Sequence, residues 1–394
     1  MRRWALLAPL AVSAAECGAD GPDGAVLMQL KGVRMGGVET VNAGMNFTCS
    51  ETCSVIGGLC MDDCTVRRTS TGPMPCDCEV GAWLHGHSEL QRTAIQNSGS
   101  PTALLRQTPF LMTHDSATGL IGMLDGRNLF AQAQTIGLSE QLTCGARALD
   151  LRLVRSEDSS EIYFHHSSES LHWVSDQSLQ GEWPKMMAWA KERPEELVVL
   201  VMSHCQMAPG TWGWRSYFQR WTGLECSNPF YTAEFQKLGI PWQADCERVS
   251  AMTHAEAKQM SRLKSGGHIL AVDGACIASN WDSSVNEGAR VRPYVERTMS
   301  KMRNSAKMPF MVQSFIQQRL TVPMSTPLNQ QVLSEITTSD LYAGVNFLEI
   351  NLICAYGTSM AIALGYTTIS SQDFQSCRSS CRLACKRHGA CEQL

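Results

Sequence analysis

The chain of 394 residues is longer than one average domain, and an α/β barrel of about 250 residues with smaller additions would fit this length. Its 33 Lys and Arg residues nearly balance 37 Asp and Glu residues, which leaves a formal net charge of −4. Because no long run of basic residues occurs, the composition argues against nucleic acid as a partner and against a polybasic membrane patch.

The first residues have the order of a secretory signal peptide. Arg2 and Arg3 precede an apolar run over 4–12, and small residues follow at 13–15. We therefore expect a signal peptide over 1–15, with cleavage after Ala15, and a secreted, extracellular protein. The alternative is an ordinary buried N-terminal helix.

Cysteines are abundant and unevenly spread. Seventeen in an exported chain predict a disulfide framework, whereas in a reducing cytosol they would suggest metal sites. The two clusters are Cys49, Cys53, Cys60, Cys64, Cys76 and Cys78 near the N-terminus, and Cys377, Cys381, Cys385 and Cys391 near the C-terminus. The first cluster lacks the paired C-x2-C spacing of zinc sites, which favours disulfides over a metal site. The sequence determines neither the connectivity of these disulfides nor the binding partner of the Cys-rich segments. A sequon at Asn46 fits N-glycosylation of a secreted chain.

Changes in composition divide the mature chain into three parts. Residues 16–100 are rich in Gly, Cys, Thr and Asp, which suits a small stapled segment with a linker. Over 101–366, apolar runs alternate with longer polar or helical stretches, as in α/β proteins. Residues 367–394 form a Cys-rich tail. We predict an α/β distorted TIM (β/α) barrel with small Cys-rich N-terminal and C-terminal extensions.

Seven apolar runs in the barrel region are candidate strands. They span 109–114, 146–154, 161–166, 197–203, 268–273, 309–316 and 345–353. Helices are predicted over 183–192, which ends before Pro194, and over 253–264, which opens with a capping box. The apolar stretch over 345–364 carries polar residues, which argues against a membrane span.

Three of these runs end in groups that can handle a phosphodiester. These groups are His114 and Asp115, then Asp150 and Arg152, then His165 and His166. One imidazole can take the proton of an attacking hydroxyl, a second can protonate the departing oxygen, and a guanidinium can hold the phosphate. This chemistry requires no metal, and barrels place such groups at the C-terminal ends of strands.

The second and third runs are too close for a parallel crossover, because only 155–160 separates them, and we predict a hairpin. Its register decides which histidine lies on the arginine face. A three-residue turn centred on Asp158 selects His166, whereas a two-residue turn at Asp158 and Ser159 selects His165. Geometry alone leaves both alternatives open.

Several motifs in this order resemble the catalytic X-region of phosphatidylinositol-specific phospholipase C, in its metal-independent bacterial-type branch. They are Thr113-His114-Asp115-Ser116, Gly145-Ala146-Arg147, Asp150-Leu151-Arg152 and Phe164-His165-His166. The match is good over about 109–203 and loose over the rest of the barrel. The resemblance implies a distorted TIM barrel without a cofactor or metal. It also implies a phospholipid or lipid-anchor phosphodiester substrate, met by transient contact with a membrane surface.

The resemblance further implies a role for each residue. His114 would be the general base that deprotonates the inositol 2-hydroxyl, which attacks phosphorus to give a cyclic phosphodiester. His166 would be the general acid, oriented by Asp115. Arg152, supported by Asp150, would take the place that calcium occupies in the metal-dependent branch.

Two positions depart from the family pattern. Family members carry an Asp on the last barrel strand to orient the base, where this chain offers Glu349 or Asn351. Glu349 would keep a charged partner, whereas Asn351 could only accept a hydrogen bond. A basic residue that family members often show on the strand after Pro194 is also missing, and Ser203 and His204 stand there as candidate substrate-binding residues.

Two other functions are alternatives. An inactive or weakly active barrel could be a secreted binding scaffold, with the Cys-rich ends as interaction modules. A metal-dependent glycerophosphodiesterase or sphingomyelinase D would share the barrel but needs carboxylates clustered near the first histidine. The sequence does not predict such a cluster around His114.

Overall fold

The computed structural model describes residues 100–121, 132–167, 172–209, 221–279, 291–305, 307–315, 321–366 and 369–388, together with four short strands near the N-terminus. The chain divides into two compact units, Met1–His85 and Gly86–Leu394. The predicted signal peptide, the sequon at Asn46 and the side chains of the N-terminal cysteine cluster lie outside the described residues.

The first unit contains two small antiparallel pairs of strands. Ser54–Ile56 (β1) pairs with Leu59–Met61 (β2), and Thr65–Val66 (β3) pairs with Cys76–Asp77 (β4).

The second unit is an α/β fold built around one large sheet. Its strands are Phe110–Thr113 (β5), Ala148–Ser156 (β6), Ile162–Ser167 (β7), His172–Ser178 (β8), Leu197–Ala208 (β9), Thr222–Gly223 (β10), Trp242–Gln243 (β11), His268–Asp273 (β12), Ala278–Ser279 (β13), Phe310–Gln313 (β14) and Phe347–Ile350 (β15). Its helices are Leu138–Thr143 (α1), Leu179–Glu192 (α2), Pro229–Leu238 (α3), Cys246–Ala251 (α4), His254–Met260 (α5), Val291–Ser305 (α6), Thr321–Thr338 (α7), Gly357–Ala363 (α8) and Ser371–His388 (α9). Within the described ranges, no helix combines the length and the apolar character that a membrane crossing requires.

Neighbouring strands of the main sheet run parallel in the order β11, β12, β9, β6, β5, β15, β14 and β13. In the part of the chain that the structure describes, no ladder joins the edge strands β11 and β13, so the sheet is a curled, open barrel. Strands β7, β8 and β10 extend it in antiparallel pairings beyond β6 and β9. The predicted α/β class and distorted barrel are confirmed.

All seven predicted strands are present, although several ends differ. The predicted helix over 183–192 begins earlier, because the Ser178 hydroxyl accepts a hydrogen bond from the Gly181 amide and caps its first turn. The predicted helix over 253–264 ends earlier, at Met260, and opens with the expected capping box between Thr253 and Glu256.

The central strands are buried on both faces, as their continuous apolar runs predict. Every residue of β5 is buried, and so are the first six residues of β9, over 197–202. Phe110 of β5 stacks on Phe347 of β15, with 5.2 Å between ring centroids. This packing fixes the strands whose C-terminal ends carry the candidate site.

Disulfides form between cysteines far apart in the sequence. The described bonds are Cys144–Cys377, Cys205–Cys226, Cys246–Cys276 and Cys354–Cys381. The first and last of these attach α9 to the barrel, so the stretch over 367–394, which the sequence analysis set apart as a tail, carries a helix bonded to the second unit.

A buried ion pair joins the start of β6 to the chain before β9. Arg147 donates from Nε and Nη2 to the two carboxylate oxygens of Glu196, each at 2.9 Å. Its Nη1 donates to the carbonyls of Leu142 and Ala146, also at 2.9 Å, and the guanidinium lies 4.9 Å from the ring centroid of Trp189. Loss of one partner would leave the other charge buried without compensation.

We therefore expect Glu196→Ala to lower the free energy of unfolding by about 3–5 kcal/mol, measured by urea denaturation with the disulfides intact. The adjacent Glu195→Ala is the control, because the Glu195 side chain is 82% exposed and its carboxylate lies 3.5 Å from Lys258. It should cost about 1 kcal/mol or less. Equal losses in the two variants would contradict a stabilising role for the buried pair.

Candidate active site

The C-terminal ends of neighbouring parallel strands bring the candidate residues to one mouth of the barrel. Strand β5 pairs with β15 and with β6 up to Thr113. The residues that follow these last pairs are His114, Asn351 and Asp150. They therefore lie at one level, immediately beyond the two ladders.

Asp115 is the residue at which the other side chains meet. Its backbone is left-handed, with φ 42°, and its side chain is fully buried. Its Oδ1 lies 2.5 Å from Arg152 Nε, and its Oδ2 lies 2.7 Å from His166 Nδ1 and 3.4 Å from His114 Nε2. Burial alone would raise the pKa of Asp115, but the charge of Arg152 and the two imidazoles hold it well below its ordinary value.

Asp150 supports both Arg152 and the turn at Asp115. Its Oδ2 lies 3.4 Å from Arg152 Nε and accepts a hydrogen bond from the Asp115 amide at 3.1 Å. Its Oδ1 accepts a hydrogen bond from Ser203 Oγ at 2.7 Å. Burial acts to lower the pKa of Arg152, but the adjacent carboxylates Asp115 and Asp150 raise it, so the guanidinium stays charged.

His114 is held in one tautomer by its two partners. Its Nδ1 lies 2.8 Å from Asn351 Oδ1, and its Nε2 lies 3.1 Å from Arg152 Nη2. An amide oxygen only accepts and a guanidinium only donates, so these bonds require a proton on Nδ1 and a lone pair on Nε2. The ring stacks on Phe315, with centroids 4.0 Å apart, and burial lowers the pKa of His114. The imidazole is therefore neutral with a lone pair directed at Arg152.

Of the two candidates on the last strand, Asn351 contacts His114 and Glu349 does not. Glu349 lies inside the β15 ladders, opposite Met112 and Gln313, and is buried. Burial and the nearby charge of Asp150 raise the pKa of Glu349 well above its ordinary value. Glu349 therefore lies beside the site, inside the sheet, and is not the partner of His114.

The hairpin between β6 and β7 has the register of the two-residue alternative, since Leu153 pairs with Phe164. Regular alternation in this register would bring His165 to the arginine face, yet His166 is the residue that meets the buried carboxylate. The ladder of β7 with β8 shifts register between Tyr163 and His165, and such an irregularity interrupts the alternation. The three-residue alternative is thus wrong for the pairing, although the residue that it selected lies in the site.

His165 lies in a structural environment. Its Nε2 donates to the carbonyl of His204 at 2.8 Å, its Nδ1 lies 2.6 Å from Ser167 Oγ, and its ring meets the edge of Trp221. Burial lowers the pKa of His165 to about 3, so the folded protein keeps it neutral near pH 7.

Ser203 and His204 form the rim next to Asp150. Because Ser203 Oγ donates its proton to Asp150, His204 Nδ1, at 3.1 Å, donates to the Ser203 oxygen. His204 is exposed and has a left-handed backbone, with φ 47°, next to the Cys205–Cys226 disulfide. The two predicted substrate-binding residues thus adjoin the buried cluster. His204 takes part in these hydrogen bonds through Nδ1 and not through Nε2.

Possible metal ligands also meet here. Ligand atoms of His114, Asp115 and Asp150 lie within 4.8 Å of one another. The expectation that no carboxylates cluster around His114 is wrong. Strand pairing brings Asp150 next to His114, and the left-handed backbone at Asp115 turns its carboxylate toward the same place. Arg152 lies within 3.4 Å of all three side chains, and its charge opposes that of a divalent cation.

Two neighbours of the site belong to none of the motifs. Phe315, which stacks on His114, lies two residues after the end of β14, so its position near a strand end was a usable signal. Gln134 lies in the loop before α1 and contacts the backbone of both His114 and Ile350. Nothing in the local sequence indicates that contact.

We expect Asn351→Asp to raise the pKa of His114 by about one unit or more, because a carboxylate stabilises an adjacent imidazolium. The measurement is an NMR titration of the imidazole, assigned with a His114→Gln variant. Glu349→Gln is the control, because this side chain lies inside the sheet and does not contact the ring, and the change should leave the pKa of His114 nearly unchanged. An unchanged pKa in Asn351→Asp would contradict the contact.

Acid should destabilise the protein through His165. Between its ordinary pKa of 6.5 and the folded value of about 3, the unfolded chain binds a proton that the folded protein does not. The free energy of unfolding therefore falls as pH falls, by about 1.4 kcal/mol per pH unit from this group, and is unaffected by it above pH 6.5. Urea denaturation of His165→Gln should show a shallower loss between pH 6 and pH 4. An identical slope in wild type would contradict this assignment.

No protein-family profile matches the chain, and no curated protein matches it. Solved structures of bacterial phosphatidylinositol-specific phospholipase C have a similar fold. A mutant of the Staphylococcus aureus protein is 13% identical over 73% of this chain and 99% of its own, with a TM-score of 0.48. An S. aureus structure concerned with membrane binding is 14% identical over 73% of this chain and 99% of its own, with a TM-score of 0.46. The Listeria monocytogenes protein is 14% identical over 73% of this chain and 98% of its own, with a TM-score of 0.42. At these identities the likeness concerns the fold alone.

Proposed function

We propose that the chain is a metal-independent phosphodiesterase of the phosphatidylinositol phospholipase C type. The observation that carries the proposal is the convergence of two imidazoles and one guanidinium, His114, His166 and Arg152, on the buried carboxylate of Asp115. Intramolecular attack on a phosphodiester needs a general base, a general acid and a group that holds the phosphate.

His114 would act as the general base through Nε2. In the free protein Arg152 Nη2 donates to this nitrogen, and a phosphate oxygen would compete for the guanidinium and release the lone pair. His114 would then take the proton of the inositol 2-hydroxyl while its oxygen bonds to phosphorus. The bond from phosphorus to the diacylglycerol oxygen breaks, and a cyclic phosphodiester forms.

His166 would act as the general acid. Its Nδ1 faces Asp115, so Nε2 is the nitrogen that would give a proton to the diacylglycerol oxygen. Water would open the cyclic phosphodiester with the two histidines in exchanged roles. Asp150 supports this step indirectly, because it holds both Arg152 and the amide of Asp115.

We further propose a phospholipid or lipid-anchor phosphodiester as substrate, reached by transient contact with a membrane surface. The motif resemblance described above supports this substrate class. Ser203 and His204, on the rim beside Asp150, would contact the headgroup. The order of basic, apolar and small residues over 1–15 supports secretion, and the sequon at Asn46 fits a glycoprotein.

A weakly active or inactive barrel that binds a partner as a secreted scaffold is the second candidate. The observation that favours it is the neutral amide of Asn351 against His114, where a carboxylate would stabilise an imidazolium better. The cluster of His114, Asp115 and Asp150 would suit a metal-dependent glycerophosphodiesterase or sphingomyelinase D, but Arg152 competes for the same three groups.

The test is release of diacylglycerol from phosphatidylinositol vesicles between pH 5 and pH 8. We expect activity that EDTA leaves intact, and a loss of about 10²–10⁴-fold in His114→Ala and in His166→Ala. His165→Gln is the matched control, because the imidazole of His165 adjoins His166 in sequence but lies outside the site. This variant should keep most activity. Loss on chelation would favour the metal-dependent class. No release by the wild type would refute catalysis and leave the scaffold.

A further inference from the structure

The side chain of Gln134 joins two segments of the candidate site. It is fully buried, and its Nε2 donates to the carbonyl of His114 at 3.3 Å and to that of Ile350 at 3.1 Å. Its Oε1 accepts a hydrogen bond from the Ile353 amide at 2.9 Å. One amide group thus contacts the backbone on both sides of Asn351 and the backbone of the residue that Asn351 orients.

These bonds lie where the strand ladder stops. The last pair of the ladder between β5 and β15 is Thr113 with Ile350, and the His114 amide still donates to the Ile350 carbonyl at 3.0 Å. His114 and Asn351 therefore lie one position beyond the last pair. The chain then turns through a left-handed residue at Leu352, with φ 48°. One backbone hydrogen bond continues between the two segments at this level, and the side-chain hydrogen bonds of Gln134 add to it in fixing their separation.

The loop that carries Gln134 is itself fixed. Gln134 N donates to Thr118 Oγ1 at 3.0 Å, and the carbonyl of Ala133 accepts from the Leu352 amide at 2.8 Å. On the opposite side, Asn329 Nδ2 donates to the carbonyl of Asn351 at 2.8 Å. Gln134 is therefore a buried connector between the chain after β5 and the chain after β15.

We propose that Gln134 is a positioning residue, which keeps Nδ1 of His114 within hydrogen-bond distance of Asn351 Oδ1. Its catalytic consequence rests on the proposed function, whereas its effect on the imidazole does not. Without Gln134, the backbone bond from His114 to Ile350 would remain, but the segment after β15 would lose its side-chain connection to the segment after β5. The ring of His114 would then be held less firmly in the tautomer with a lone pair on Nε2. A small misplacement of a general base is costly in rate.

Asn346 provides a matched control at the other end of β15. It is fully buried, and its Nδ2 donates to the carbonyls of Leu105 and Thr108 at 2.9 and 2.7 Å. Its Oδ1 accepts from the Phe310 amide at 3.0 Å. Asn346 and Gln134 thus make the same set of bonds, two donated to carbonyls and one accepted from an amide, but only Gln134 adjoins the site.

The experiment compares Gln134→Met with Asn346→Leu in the full chain. Both should lower the thermal midpoint, because each leaves backbone groups without a buried partner. Only Gln134→Met should lower kcat on phosphatidylinositol vesicles, on the order of tenfold to a hundredfold with KM little changed. Only Gln134→Met should also turn the ¹⁵N signals of His114 from a single tautomer into a mixture.

Gln134→Glu serves as the conservative variant, because as the protonated acid that burial against two carbonyls favours it keeps the acceptor for the Ile353 amide, one donor and the side-chain length. It should fall between wild type and Gln134→Met, and it replaces Gln134→Met if that variant does not fold. The proposal is overturned if Gln134→Met and Asn346→Leu both lose kcat in proportion to their loss of stability while His114 keeps a single tautomer in both. If the wild type releases no diacylglycerol, the proposed function fails, and the tautomer comparison alone still decides the positioning role.

Discussion

Burial of one carboxylate organises the mouth of the barrel. Removing an isolated carboxylate from water costs several kcal/mol, so Asp115 can be buried only among positive charges and hydrogen-bond donors. Its partners come from the second and third runs of the chain, Arg152 on β6 and His166 on β7, and from the adjacent His114. The left-handed backbone of Asp115 turns its carboxylate toward all of them. Side chains that strand pairing brings to one end of the sheet therefore share one buried carboxylate.

The two histidines differ in their relation to the buried charges before any substrate binds. Asp115 and Asp150 lie opposite the guanidinium of Arg152, at 2.5 and 3.4 Å from its Nε. Asp115 Oδ2 lies 2.7 Å from His166 Nδ1 and 3.4 Å from His114 Nε2, so the carboxylate lies closer to His166. His114 Nε2 meets the guanidinium of Arg152 at 3.1 Å instead. In the proposed reaction, the histidine nearer the carboxylate would be the proton donor, and the histidine that faces the guanidinium would be the proton acceptor.

Sequence patterns predicted the strands better than the side-chain partners. Continuous apolar runs such as that over 197–202, the first half of Leu197–Ala208, reveal buried parallel strands, and strand ends reveal a site. The hairpin histidine was not decidable, because its orientation depends on pairing with His172–Ser178, a polar strand that no pattern predicts. Glu349 and Asn351 share one strand face, and only the end of the ladder separates a buried acid from a residue that reaches the imidazole. Long-range contacts such as that of Gln134 leave no local signal.

An amide in place of a carboxylate at residue 351 changes which group holds the charge of a protonated base. Asn351 fixes the ring of His114 through Nδ1, but the nearest negative charge lies at Nε2, the nitrogen that would receive the proton. In the proposed reaction, one imidazolium faces Asp115 before transfer, on His166, and one faces it afterwards, on His114. The carboxylate therefore compensates one positive charge in both states, at 2.7 Å and then at 3.4 Å. In that reaction the same carboxylate would serve both proton positions, so the base would need orientation from residue 351 more than charge.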